Sequence, residues 1–188
     1  GQLYPPERVL YESLLKLNSL VKVTEGRTEF VYPTKNNQLY ETFEMLRKEL
    51  LSASTGPITF KEIQEQLSSP PFGIKSGLHP VIFMVFYMTM QDNIALYEDN
   101  QFRPYLDSEA IDRFVRTKTN AFSFQLYSFE GQSKLIEEYS KEFSIESSKK
   151  DNSQVLAIAR RLTKSMYELH DFSQNTRAFL SDEAIAFR

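Results

Sequence analysis

Apolar positions along this chain follow two spacings, and the switches between them lay out the predicted elements. Leu10, Leu14 and Leu17 recur at helical spacing after Pro5-Pro6-Glu7, where proline suits a first turn and the acid lies near the positive helix end. A helix is therefore predicted through residue 18. Leu20, Val21 and Val23, then Phe30, Val31 and Tyr32, flank the dipeptide Glu25-Gly26, which predicts a β-hairpin closed by Pro33. Leu39, Phe43, Leu46 and Leu50 are spaced four, three and four, giving a second helix over 38–52 that Gly56-Pro57 breaks. Thr59-Phe60-Lys61-Glu62 is a capping box, with Ile58 and Ile63 placed as its hydrophobic staple. It opens a short helix carrying Ile63 and Leu67 that stops at Ser68-Ser69-Pro70-Pro71.

A third helix follows from residue 78 or 79 to 91, and its segment 81–90 holds eight apolar residues plus Tyr87 and Thr89, with no charge. Strands over 94–98 and 101–105 meet at Asp99-Asn100, and Pro104 marks the outer strand as an edge because it cannot donate to a ladder. A helix is predicted over 108–117. In 121–129, Phe122, Phe124 and Leu126 alternate with Ser123, Gln125 and Tyr127, the pattern of a half-buried strand. Leu135, Ile136, Tyr139 and Phe143 mark another helix, and the polar stretch 144–154 reads as a mobile linker. The last helix, 155–169, is expected to bury Val155, Ala159, Leu162, Met166 and Leu169, with Arg160, Arg161, Lys164 and Glu168 on the opposite face.

This order predicts an α+β, mainly helical fold. It reads as tandem winged-helix-like units with β-hairpin wings, followed by a helical C-terminal part. The units divide as an N-terminal helix-hairpin unit (1–36), a winged-helix-like unit (37–118) and a strand plus helical part (119–188). Only the second has a full winged-helix complement, and no residue-level repeat relates the two. Winged helices bind nucleic acid or protein. Here the segment in the recognition-helix position lacks the Arg, Lys, Asn or Gln that read base edges. A packing role is expected for it.

Composition narrows the chemistry. At 188 residues with 41% hydrophobic and 25% charged residues, the chain can bury a sizeable core, and 15 Phe and 10 Tyr make that core ring-rich. The net charge of −3 gives no global attraction to nucleic acid or acidic membranes. With no cysteine there is no disulfide or thiolate zinc site, which fits a cytoplasmic location. The apolar run 81–90 is far shorter than the ~20 residues needed to span a bilayer, so no membrane association is expected. The chain begins at Gly1 without an initiator Met or a signal-type segment, and it reads as an excised fragment.

Candidate sites are few. The turn Pro70-Pro71-Phe72-Gly73-Ile74-Lys75-Ser76-Gly77 places Lys-Ser before a helix, but it lacks the glycine spacing of a phosphate loop, and its prolines remove backbone donors. A structural turn is expected, with Phe72 beneath it and both glycines in special dihedrals. His79 and His170 each stand alone, so no metal site is predicted. No serine lies in a nucleophile-elbow context, and acid pairs such as Glu98-Asp99, Glu137-Glu138 and Asp182-Glu183 read as solvated surface. The sequence thus predicts no catalytic residue and no cofactor. Its most basic region carries Lys149, Lys150, Arg160, Arg161, Lys164 and Arg177 against three acids. These six are the candidate contacts for a partner or for nucleic acid.

Several short blocks resemble one kind of protein. They are Tyr4-Pro5-Pro6-Glu7-Arg8 with Tyr11-Glu12-Ser13-Leu14-Leu15, the turn 70–77, Ile94-Ala95-Leu96-Tyr97-Glu98-Asp99, and the tail Asn175-Thr176-Arg177 with Leu180-Ser181-Asp182-Glu183-Ala184. The set is similar to the C-terminal part of large bacterial P-loop ATPases linked to phage defence. The resemblance implies that a nucleotide-hydrolysing motor lies outside this stretch, and no catalytic residue carries over. The expected function is a non-catalytic protein-interaction module of a larger ATP-driven protein. The alternative is a nucleic-acid-binding winged-helix module using the basic C-terminal helix.

Overall fold

The computed structural model describes residues 5–52, 56–116, 120–127, 134–145 and 153–176. The fold is α+β and mainly helical, with small antiparallel sheets. Helix α1 (Pro6–Leu10) starts on Pro5-Pro6 and widens into a π-helical stretch, Tyr11–Lys16. In that wider register Leu17 N–H donates to Glu12 O at 3.1 Å and Leu20 N–H to Leu15 O at 2.9 Å. The extra residue per turn rotates Leu17 off the apolar stripe that regular spacing predicts for it. It stands 79% exposed, while Leu14 and Leu15 pack against the core.

Strands β1 (Val21–Thr24) and β2 (Arg27–Phe30) form a hairpin in the predicted register, with Thr24 opposite Arg27 and Val21 opposite Phe30. Helix α2 (Tyr40–Ser52) then buries Phe43, Leu46 and Leu50 at the predicted spacing. Strand β3 (Ile58–Thr59) leads into α3 (Phe60–Ser68) through the capping box. Glu62 N–H donates to Thr59 Oγ1 at 3.3 Å, and Thr59 N–H donates back to the Glu62 carboxylate at 2.8 Å. The Thr59 hydroxyl also donates to that carboxylate at 2.7 Å, and this bond, then the one from the Thr59 amide, holds the Glu62 carboxyl below its ordinary value.

Helix α4 (His79–Met90) runs through the centre of the molecule, burying Ile82, Phe83, Val85, Phe86 and Tyr87. A helix apolar on all sides has no polar face to offer to solvent, and no residue of α4 is fully exposed: those that are not buried are half-buried. The 3₁₀ turn Ser76–Leu78 precedes it, and His79 Nε2–H donates to Ile74 O at 2.7 Å, which ties the helix start to the preceding turn. Strands β4 (Ile94–Glu98) and β5 (Gln101–Arg103) follow as a second hairpin, and then α5 (Ser108–Arg116) and β6 (Phe122–Leu126). The C-terminal helices are α6 (Lys134–Glu142), α7 (Ser153–Tyr167) and the short α8 (Asp171–Asn175).

The main sheet runs β3-β6-β4-β5, all antiparallel. Strand β5 is an edge, as predicted, but it ends at Arg103, before Pro104, which cannot donate to a ladder. Strand β6 lies between β3 and β4, with Phe124 opposite both Ile58 and Leu96, so the sheet draws its strands from both sides of residue 118. On this strand Ser123 is buried with Phe122 and Phe124, where alternation alone predicts it outside. Rings from five elements meet above this sheet. Phe60 and Phe114 lie 4.3 Å apart, Phe83 and Phe124 4.5 Å, and Phe43 and Phe86 5.5 Å.

The linker predicted over 144–154 falls mostly on residues 146–152, outside the described ones. Among the described residues no helix is long and apolar enough to cross a membrane.

Candidate functional site

The six basic candidates do not come together as one face. Lys149, Lys150 and Arg177 lie outside the described residues. Arg160 leaves the predicted solvent face: its side chain is only 13% exposed. One guanidinium nitrogen donates to Gln91 O and, at 3.3 Å, to Ile94 O, and Asp92 lies 4.0 Å from the other. The cause is local. The chain turns from α4 into β4 here, and these carbonyls face α7, where a guanidinium supplies the missing donors. The buried side chains of α7 are Leu156 and Ile158, whereas Val155, Ala159, Leu162 and Met166 of the expected stripe are half-buried and Leu169 is exposed. Arg161 is exposed, and Lys164 pairs along the helix with Glu168 at 3.5 Å.

The turn before α4 uses its amides internally. Phe72 and Gly73 N–H both donate to Ser69 O, at 3.0 and 3.1 Å, and Ile74 N–H donates to Leu67 O at 2.9 Å. None of these donors is left to cradle an anion. Gly73 has a positive φ of 56°, but Gly77 does not, because the 3₁₀ turn it occupies uses ordinary dihedrals.

A polar cluster that the residue pattern assigns to solvent is drawn inward at the second hairpin. Glu98 on β4 accepts from Arg113 of α5 at 2.7 and 3.1 Å and also from Arg103 on β5. The Arg113 bonds, then the two guanidinium charges, hold the Glu98 carboxyl below the ordinary range. Arg103 also reaches Asp107 at 3.4 Å. Glu98, Arg103 and Asp107, with Phe102, Tyr105 and Tyr167, line a cleft of about 460 Å³. The Glu98 carboxylate and both guanidinium groups are paired with one another, which fixes α5 on the hairpin. The signal for it is present in the sequence, since Glu98 and Arg103 are diagonal neighbours across a two-residue turn. Among the described residues no group of three or more His, Asp or Glu side chains is placed to hold a metal.

The β1–β2 hairpin has a different character. Its base is fixed: Leu20 is buried, Val31 N–H donates to Leu20 O at 2.8 Å, and Tyr32 Oη–H donates to Glu44 of α2 at 2.9 Å with its ring 5.5 Å from Phe43. The Tyr32 hydroxyl is pushed above its ordinary range by burial and by that carboxylate. Beyond the base, the turn Glu25-Gly26 holds φ values of 51° and 78°, the twist that joins two antiparallel strands tightly. Period-two alternation puts Val21, Val23, Thr28 and Phe30 on one face and Lys22, Thr24, Arg27 and Glu29 on the other. The apolar face is left open, with Val23 61% and Phe30 37% exposed. Compared with family models, with curated proteins and with solved structures, the chain gives no match.

Proposed function

We propose that this chain is a non-catalytic protein-interaction module, one part of a larger ATP-driven assembly of the phage-defence kind, and that the β1–β2 hairpin makes the contact. The observation that carries the reading is the uncovered apolar face of Val23 and Phe30 on a hairpin whose base is anchored by Leu20 and Tyr32. An isolated two-stranded ribbon is marginal in water, and an apolar stripe held out on a fixed base suits a partner that would cover it. The partner is a protein and not a nucleic acid. On the hairpin Lys22 and Arg27 are balanced by Glu25 and Glu29, so no local field draws phosphates, and Arg160 is spent on main-chain carbonyls. The winged-helix-like order of α2, α3, α4 and the β4–β5 hairpin then serves as the scaffold. The ATP-driven context rests on the sequence resemblance.

The test replaces Val23 with a photo-crosslinking residue in cells that make the protein, with Lys61 on α3 as the control position. Adducts to a polypeptide from position 23, and not from 61, support the reading. Adducts to nucleic acid, or none, overturn it. In solution, fluorescence anisotropy is expected to show no nucleic-acid binding tighter than the nonspecific range of about 10⁻⁴ to 10⁻⁶ M at physiological salt.

A further inference from the structure

Resting on the interaction reading, we infer that the hairpin's partner is a second copy of this chain, joined through the outer edge of β2. Among the described residues the outer edge of β2 has no strand partner. Because Leu20 and Val31 are a hydrogen-bonded pair, alternation along the ladder makes Lys22–Glu29 and Thr24–Arg27 hydrogen-bonded pairs too. The N–H and C=O groups of Thr28 and Phe30 therefore point away from β1. An antiparallel copy of β2 can take up these donors and acceptors, turning two marginal ribbons into one four-stranded sheet.

Charge chooses the register. Pairing Thr28 with Phe30 of the copy would set Glu29 against Glu29, which is repulsive. Pairing Thr28 with Thr28 instead sets Arg27 opposite Glu29 of the second copy, and Glu29 opposite its Arg27. The same register brings each Phe30 opposite Gly26 of the other copy. No Cβ stands there, and nothing lies within 4 Å of where one would be, so the ring has room to cover the turn. Ion pairs and ring placement thus choose one two-fold arrangement, in which Thr28 carries the main-chain bonds between the copies.

The experiment is sedimentation equilibrium of the 188-residue chain over a wide concentration range, with charge-exchanged variants. The native mass is expected to rise from 21.9 kDa toward twice that value. Glu29→Arg should weaken association about tenfold, because two cross-copy attractions become repulsions. Adding Arg27→Glu to it should restore native association. Arg27→Glu alone adds no positive charge beside Lys22 and sets acid against acid between the copies, so it should weaken association as Glu29→Arg does, which separates the contact between copies from charge crowding inside one hairpin. A monomer at every concentration, or a dimer indifferent to the single exchange, overturns the inference. If a monomeric chain still crosslinks from position 23 to another polypeptide, the second copy is excluded and the interaction reading stands. If it crosslinks to nothing, both are excluded.

Discussion

Arg160 on α7 donates to the main-chain oxygen of Ile94, the first residue of β4, across 3.3 Å. A side chain that sequence spacing assigns to a basic surface stripe thereby becomes the fastening between the C-terminal helix and the turn that leaves the buried helix α4. Its charge is not wasted. Hydrogen bonds from an ionised donor are stronger than neutral ones, and the carbonyls it reaches have no strand or helix partner in that turn.

Replacing Arg160 with Ala should therefore destabilise the chain by about 2 kcal/mol, the scale of a charge-assisted bond to a partly buried acceptor. At this size that lowers the melting temperature by roughly 4–8 °C. Hydrogen exchange along α7 should accelerate more than exchange in α4. Arg161→Ala, one residue on and exposed, should leave both measurements nearly unchanged. Equal effects of the two substitutions would contradict the fastening role.

What the sequence reveals and what it hides divide along the range of the interaction. The Thr59–Glu62 capping box, the Glu25-Gly26 hairpin and the charge-free α4 are all legible, because each depends on residues within a few positions of one another. The insertion of β6 between β3 and β4 is not, since the pattern of Phe122, Phe124 and Leu126 says "strand" without naming its neighbours. The inward turn of Arg160 is hidden for a related reason: its acceptors are carbonyls, which every residue carries. Leu17 is lost from the core through a π-helical register that regular spacing cannot indicate. For the hairpin, the strands and turn are legible but the exposure of Val23 and Phe30 is not. Alternation marks an apolar face without showing whether anything covers it.

Glu98 should make stability depend on acid in a defined sense. Its carboxyl is held below the ordinary 4.5 by the hydrogen bonds from Arg113 and by both guanidinium charges. The stabilisation is therefore complete above that unfolded value and is lost as pH falls through the lower folded one. Glu98→Gln should melt below the native chain at neutral pH, and the gap should close as the pH is lowered past 4.5. A gap that stays constant with pH, followed by calorimetry, would show that the carboxylate charge is not what holds α5 to the hairpin.

The heaviest dependence falls on Phe83. Its ring stands 4.5 Å from Phe124 of β6, 5.4 Å from Phe60 of α3 and 6.1 Å from Phe114 of α5, so α4, the sheet and two further helices close on one side chain. Phe83→Ala removes the common neighbour of all three rings and leaves a cavity that four separate elements would have to collapse together to fill. The expected cost is about 3–5 kcal/mol, a large part of the roughly 5–15 kcal/mol by which domains are usually stable. Phe83→Leu keeps most of the volume and should cost clearly less. Chemical denaturation should show the midpoint falling in the order native, Leu, Ala, with an unchanged slope. If the slope also drops for Ala, the elements separate in more than one step, and the ring cluster is then what makes the fold unfold as a unit.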